Sequence, residues 1–165
     1  LSQPATLPPV MILRDFHAEN LMWLPERTGL QCVGLLDFQL AQLGQPGYDL
    51  VSLLQDARRD VTPEVETDMI RHFLTAKSLT EAQFLPGYAC LGALRALRIL
   101  GIFARLCLVA GKPGYVALIP RVWAHLQRNL AHPDLTRLRE VCDAVLPPAT
   151  PATLQRIKAQ CGNFR

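Results

Sequence analysis

Ile12-Leu13-Arg14-Asp15-Phe16-His17-Ala18-Glu19-Asn20, answered further along by Leu35-Leu36-Asp37-Phe38-Gln39, is the stretch whose reading decides the fold of this chain. Asp15 and Asn20 stand at D-x-x-x-x-N spacing, directly after the short apolar run at residues 10–13. Two more apolar runs, at 21–24 and 32–36, flank the turn cluster Pro25-Glu26-Arg27-Thr28-Gly29 and predict a β-hairpin. The hairpin would bring Asp37 beside Asn20 at one end of a small sheet. Outward from this stretch, residues 44–47 with Pro46 read as a loop.

Beyond residue 47 the period turns helical. Residues 48–56 place Leu50, Leu53 and Leu54 on one face. Thr62-Pro63-Glu64 is a helix start, with Thr62 as N-cap and Pro63 in the first turn. That helix runs to about residue 77. Thr80-Glu81 opens a short one. Residues 88–109 predict a long apolar helix stopped by Gly111. Helices follow at 115–130 and 135–145, and a weak one at 152–160 in a tail containing Pro147, Pro148 and Pro151. The expected class is mainly α with a small β-hairpin.

Composition narrows the chemistry. Half of the 165 residues are apolar and 19% are charged, which describes a globular chain with a real core. The most apolar segment, residues 88–111, contains Arg95, Arg98 and Arg105, so no membrane span is expected. These arginines share one helical face, read as a surface or acid-paired face. Leu1–Val10 has no basic region followed by an apolar one, so no signal peptide is read there. Cys32, Cys90, Cys107, Cys142 and Cys161 include no C-x-x-C pair, and the reading is reduced thiols in a cytoplasmic protein. Residues 1–81 carry a net charge of −5 and residues 82–165 one of +8. No basic run with interleaved aromatics occurs, so nucleic acid is not an expected partner.

Residues of these types at this spacing suit phosphoryl transfer. A hydroxyl attacking a γ-phosphate needs a carboxylate to orient it and take its proton, a role open to Asp15. Mg²⁺ bridging the phosphates takes hard oxygen ligands, which Asn20 and Asp37 can supply.

On these residues the chain resembles the protein-kinase-like catalytic loops, and more closely the aminoglycoside phosphotransferase and choline kinase family. Within that family, Leu13 to Pro25 looks like the bacterial kinases of the anomeric hydroxyl of N-acetylmuramate and N-acetylglucosamine. The likeness continues through Gly34-Leu35-Leu36-Asp37-Phe38-Gln39, resumes from Pro46 to Val61, and returns faintly at Leu118-Ile119-Pro120-Arg121-Val122-Trp123. The resemblance implies a C-terminal lobe of the protein-kinase-like fold at residues 1–146. Its catalytic loop would be 13–20, its metal loop 37–39 and its helical acceptor-binding part 48–146, ahead of a Pro-rich tail at 147–165. It implies Asp15 as catalytic base, Asn20 and Asp37 as Mg²⁺ and nucleotide-binding ligands, and Asp49 as the carboxylate that braces the catalytic loop through backbone amides. It implies ATP as phosphate donor, an amino sugar as acceptor, and a role in cell-wall recycling in the cytoplasm. Leu13 departs from the family's common loop, which has His there, and Leu40 and Gln45 replace an acid and a His.

Other positions keep two readings. His17 either touches substrate or packs within the loop. Arg58 and Arg59 either pair with a sugar carboxylate or favour a helix C-terminus. Trp123 either lines the acceptor cleft or belongs to the core.

A kinase also needs a glycine-rich turn and a strand lysine over the phosphates. The ten glycines contain no G-x-G-x-x-G, and Leu106 stands where a P-loop ahead of Gly111-Lys112 would need its first glycine. The three lysines, Lys77, Lys112 and Lys158, all fall in the helical part. The nucleotide-binding lobe is therefore expected upstream, and the 165 residues alone are expected to be nearly inactive. The alternative is a non-catalytic helical binding or scaffold module derived from a kinase.

Overall fold

A computed structural model describes residues 7–164; the stretch Leu1–Thr6, most of the segment read for a signal peptide, and Arg165 lie outside the described residues. The first elements among the described residues are four strands of three residues each: β1 (Val10–Ile12), β2 (Leu21–Trp23), β3 (Val33–Leu35) and β4 (Gln42–Gly44). β2 and β3 form the expected hairpin, with Leu21 opposite Leu35 and Trp23 opposite Val33. A 3-10 turn at Gly29–Cys32 leads into β3, and Gly29 takes a left-handed φ of 59° there. β4 corrects the loop expected from residue 44. It pairs antiparallel with β1, Val10 opposite Gly44 and Ile12 opposite Gln42. Three residues are too few for a strand period to show in sequence. Glycine at 44 is what admits the pairing, because a Cβ there would run into the Ile12 side chain.

Six helices follow among the described residues: α1 (Tyr48–Leu54), α2 (Pro63–Lys77), α3 (Glu81–Leu108), α4 (Ile119–Leu130), α5 (Thr136–Val145) and α6 (Pro151–Ala159). Thr62 caps α2 by accepting from the Val65 N–H, and Ser78 ends it in the left-handed region. The short and long helices expected from residues 80 and 88 are one helix, α3. It opens on a reciprocal cap. The Gln83 side chain accepts from the Thr80 N–H at 2.9 Å, and Thr80 Oγ1 accepts from the Gln83 N–H at 3.3 Å. Pro86 lies inside the helix, where its missing N–H forfeits only the bond to the Ala82 carbonyl. Gly111, at φ 64°, closes the far end by donating to the Cys107 carbonyl. The helix expected at 115–130 starts later, because Pro113–Leu118 is a 3-10 turn and Pro120 sits in the first turn of α4. Thr150 caps α6 by accepting from the Thr153 N–H.

These elements form two compact units that divide between Tyr88 and Ala89, within α3, whereas the sequence reading divides the chain at 146/147. In the first unit Ile12, Val51, Leu54 and Leu74 are buried, and Phe84 packs between Phe73 and Tyr88 at ring distances of 5.1 and 5.6 Å. In the second, Phe103, Cys107, Val116, Val122, Leu126 and Leu130 are buried. There Gly92 lets α3 pass close to Asn129, whose carboxamide a Cβ would strike. Of the three arginines read as one face, Arg98 and Arg105 are exposed and Arg95 is half-buried. Among the described residues, no helix is long and apolar enough to cross a membrane.

Candidate active site

The site is built in the first unit, where β1 hands over to the loop at 13–20. The chain turns at Arg14, which holds φ 72°. An arginine in the left-handed region is strained and persists only when its surroundings hold it. Here they do. Asp49, in the first turn of α1, accepts the Leu13 N–H on Oδ2 at 2.7 Å and the Arg14 N–H on Oδ1 at 3.0 Å. Ser52, fully buried one turn on, donates to the Arg14 carbonyl at 3.5 Å. Asp56, also buried, accepts the Ala18 N–H at 3.4 Å and the Arg58 N–H at 2.8 Å. One carboxylate therefore holds the loop's entrance and another its far side.

Between those anchors the loop folds on itself. The Asp15 N–H donates to the Leu13 carbonyl and the His17 N–H to the Asp15 carbonyl, at 3.0 and 3.1 Å. The Asp15 residue is exposed at the surface. Asn20 closes a 3-10 turn over Ala18–Asn20. Its Nδ2 donates to the Asp15 carbonyl at 2.9 Å and lies 3.3 Å from His17 Nε2. With the carboxamide nitrogen turned onto Asp15, Oδ1 is directed away from it. The Leu36 N–H donates to the Asn20 carbonyl at 2.9 Å, which continues the β2–β3 ladder by one step. Asp37 is the next residue, exposed, at φ 54°, with Oδ1 accepting from Gln39 Nε2. Asp15, Asn20 and Asp37 thus come to one end of the hairpin, through the Asn20 side chain on the Asp15 carbonyl and the main-chain bond from Leu36 to Asn20.

The donor set suits one kind of cation. Among the described residues, no three His, Cys, Asp or Glu side chains gather to hold a metal. A closed tetrahedral cage of the zinc kind is therefore not built here. Asn20 Oδ1 and the Asp37 carboxylate are two hard oxygens at an open surface. That fits Mg²⁺, which keeps several waters and shares phosphate oxygens.

The remaining sequence-selected residues have other surroundings. His17 is half-buried within the loop, with Nε2 facing Asn20 and Nδ1 enclosed without a partner. α1 ends at Leu54, so Arg58 lies beyond that helix; its Nε pairs with Glu19 at 3.6 Å. Both side chains are more than a third exposed, and such a pair contributes little. Arg59 is exposed. Trp123 belongs to the second unit. There it is half-buried and lines an apolar cavity of ≈ 260 Å³ with Leu97, Ala104, Ile119, Leu154 and Ile157.

Two loop anchors escaped the sequence reading: Ser52 and Asp56. Asp56 lies beyond the end of α1, and its bond to Ala18 joins positions 38 apart, so no local spacing marks it. Glu66 also went unnoticed; it is buried in the first unit and accepts from Gln55 Nε2 at 3.0 Å and from the Tyr88 hydroxyl at 2.8 Å.

The family model of the phosphotransferase enzyme family matches residues 1–94 of the chain. Over 138 residues the chain is 51% identical to the N-acetylmuramate/N-acetylglucosamine kinase of Caulobacter vibrioides, covering 83% of this chain and 38% of that protein. The kinase of the same name from Neisseria meningitidis is 39% identical over 128 residues, 73% of this chain and 37% of its own length. That from Pseudomonas aeruginosa is 33% identical over 156 residues, 88% of this chain and 44% of its own. The chain spans less than half the length of these curated relatives.

Proposed function

The chain belongs to the phosphotransferase enzyme family, and from that premise we propose that it carries the catalytic centre of an ATP-dependent kinase of a sugar hydroxyl. The acceptor is an amino sugar, N-acetylmuramate or N-acetylglucosamine, phosphorylated at its anomeric hydroxyl in cell-wall recycling in the cytoplasm. The names of the relatives support the acceptor class. The observation that supports the chemistry most is the bonded circuit of the loop. The Asn20 carboxamide is fixed on the Asp15 carbonyl, and the Leu36 N–H on the Asn20 carbonyl brings Asp37 alongside.

In this reading Asp15 orients the acceptor hydroxyl and takes its proton as the oxygen forms its bond to the γ-phosphorus. The bond from that phosphorus to the bridging oxygen breaks, and ADP leaves. Asn20 Oδ1 and the Asp37 carboxylate hold Mg²⁺, which when bound neutralises charge on the phosphates. Asp49 acts at a distance from the phosphates, by keeping Leu13 and Arg14 in the turn that presents Asp15. The domain division at 146/147 stays part of this proposal, with residues 48–146 as the acceptor side. The reading also requires a glycine-rich turn and a phosphate-binding lysine from outside these 165 residues, since no matching motif occurs within them.

The test is ADP release by the native gene product with ATP, Mg²⁺ and each amino sugar. Asp15→Asn should slow turnover by roughly 10²–10⁴-fold, the usual worth of a general base. Unchanged turnover would remove Asp15 from that role. ADP release independent of any amino sugar would remove the acceptor class. The 165 residues alone are expected to turn over weakly or not at all, and turnover matching the native product would contradict the requirement for an outside clamp.

A further inference from the structure

Cys107 and Cys161 meet where the chain after α6 folds back onto the end of α3. Cys107 is fully buried one residue before α3 ends, and Cys161 is half-buried two residues past α6. The Cys161 thiol donates to the Cys107 carbonyl at 3.2 Å, and the Gly162 N–H donates to the same oxygen at 3.0 Å. The Phe164 N–H donates to the Leu108 carbonyl at 3.1 Å. Cys107 Sγ in turn faces the Ile157 carbonyl at 3.7 Å. Gly162, at φ 76°, makes the tight return possible, and a Cβ on it would come within 3.7 Å of the Gly111 Cα.

These contacts set the two backbones at hydrogen-bonding separation, and a disulfide needs Cα atoms roughly 4.4–6.8 Å apart. Burial pushes the Cys107 thiol up, and the neighbouring Cys161 thiol adds to that by hydrogen bonding and charge. Cys107 is thus a poor first target for an oxidant, and the more accessible Cys161 is the better one.

We propose that Cys107 and Cys161 form a reversible thiol–disulfide site, open to peroxide oxidants, that ties α6 to the end of α3. The Cys161 thiol is oxidised by hydrogen peroxide to a sulfenic acid, and one water is released. The Cys107 sulfur, losing its proton, then attacks the Cys161 sulfur; the sulfur–sulfur bond forms and the sulfenic hydroxyl leaves with that proton as a second water. Two thiols are oxidised and one peroxide is reduced. Thr153, Leu154 and Ile157 of α6 line the apolar cavity of the second unit, so the cross-link fixes that wall. A bond across 54 sequence positions also constrains the unfolded chain and raises the thermal midpoint.

The experiment treats the folded 165-residue chain with a small excess of hydrogen peroxide, blocks free thiols, and maps linked peptides. The expected result is a Cys107–Cys161 link as the main product, undone by dithiothreitol, with a higher melting midpoint before reduction than after. Cys161→Ser should abolish the link and the midpoint shift while leaving Cys107 reduced. Cys107→Ser, if it folds, should leave a Cys161 sulfenic acid that dimedone traps. Over-oxidation of Cys161 without a link would overturn the proposal. So would links to Cys32, Cys90 or Cys142 as abundant as the link to Cys107.

Discussion

At the residue scale, the loop is held by charge accepting from backbone. Asp49 takes two N–H groups with its two oxygens, and one of them belongs to the strained Arg14. Hydrogen bonds to a charged acceptor are worth roughly 1.5–3 kcal/mol each, and less where water reaches them. Asp49 is half-buried, so Asp49→Ala should cost about 2–4 kcal/mol by urea denaturation. Asp49→Asn keeps one acceptor oxygen and should cost about half of that. A loss near zero for the alanine variant would mean that the loop is held by Ser52 and Asp56 instead. Asp15 and Asn20 were legible because their spacing lies within nine consecutive residues. Asp56 was not, because its bond to Ala18 joins positions 38 apart.

At the element scale, α3 tests how local signals add. Its start signal at Thr80 was legible, yet residues 80 and 88 read as the openings of two separate helices. The reciprocal cap by Thr80 and Gln83 fixes the first turn, and a proline at the sixth helical position then costs one bond rather than the helix. Thr80→Ala should destabilise the protein by about 1 kcal/mol, the usual worth of an N-cap. Pro86→Ala restores the N–H that donates to the Ala82 carbonyl and should stabilise the protein by about 1 kcal/mol, less than the full helix-interior penalty because unfolded-chain entropy rises. Both are read from chemical denaturation midpoints. Destabilisation by Pro86→Ala would show that the proline ring contributes packing that outweighs the missing bond.

At the scale of the whole molecule, apolar exposure is concentrated in residues 10–43. Leu30 is 94% exposed, Leu43 72%, Met11 71% and Trp23 69%. Clustered apolar side chains at a surface favour association. The 165-residue chain should therefore show concentration-dependent self-association in sedimentation velocity, and Leu43→Lys should weaken it. A clean monomer at high concentration would contradict this. The two compact units were not legible as such, because their boundary falls inside one continuous helix.

The sequence by itself determined the features that depend on neighbours in the chain. These are the β2–β3 hairpin around its turn cluster, the caps at Thr62 and Thr80, the stop at Gly111 and the D-x-x-x-x-N loop. Each rests on contacts between residues a few positions apart, where propensity and period act directly. Only the tertiary structure decided the pairing of β4 with β1, the anchoring of Ala18 by Asp56, the burial of Glu66 between Gln55 and Tyr88, and the return of Cys161 to Cys107. Those contacts join distant positions, and their partners are chosen by which polar groups are left to satisfy once the helices pack. No local pattern carries that information, because an unpaired buried donor or acceptor appears only after burial has happened.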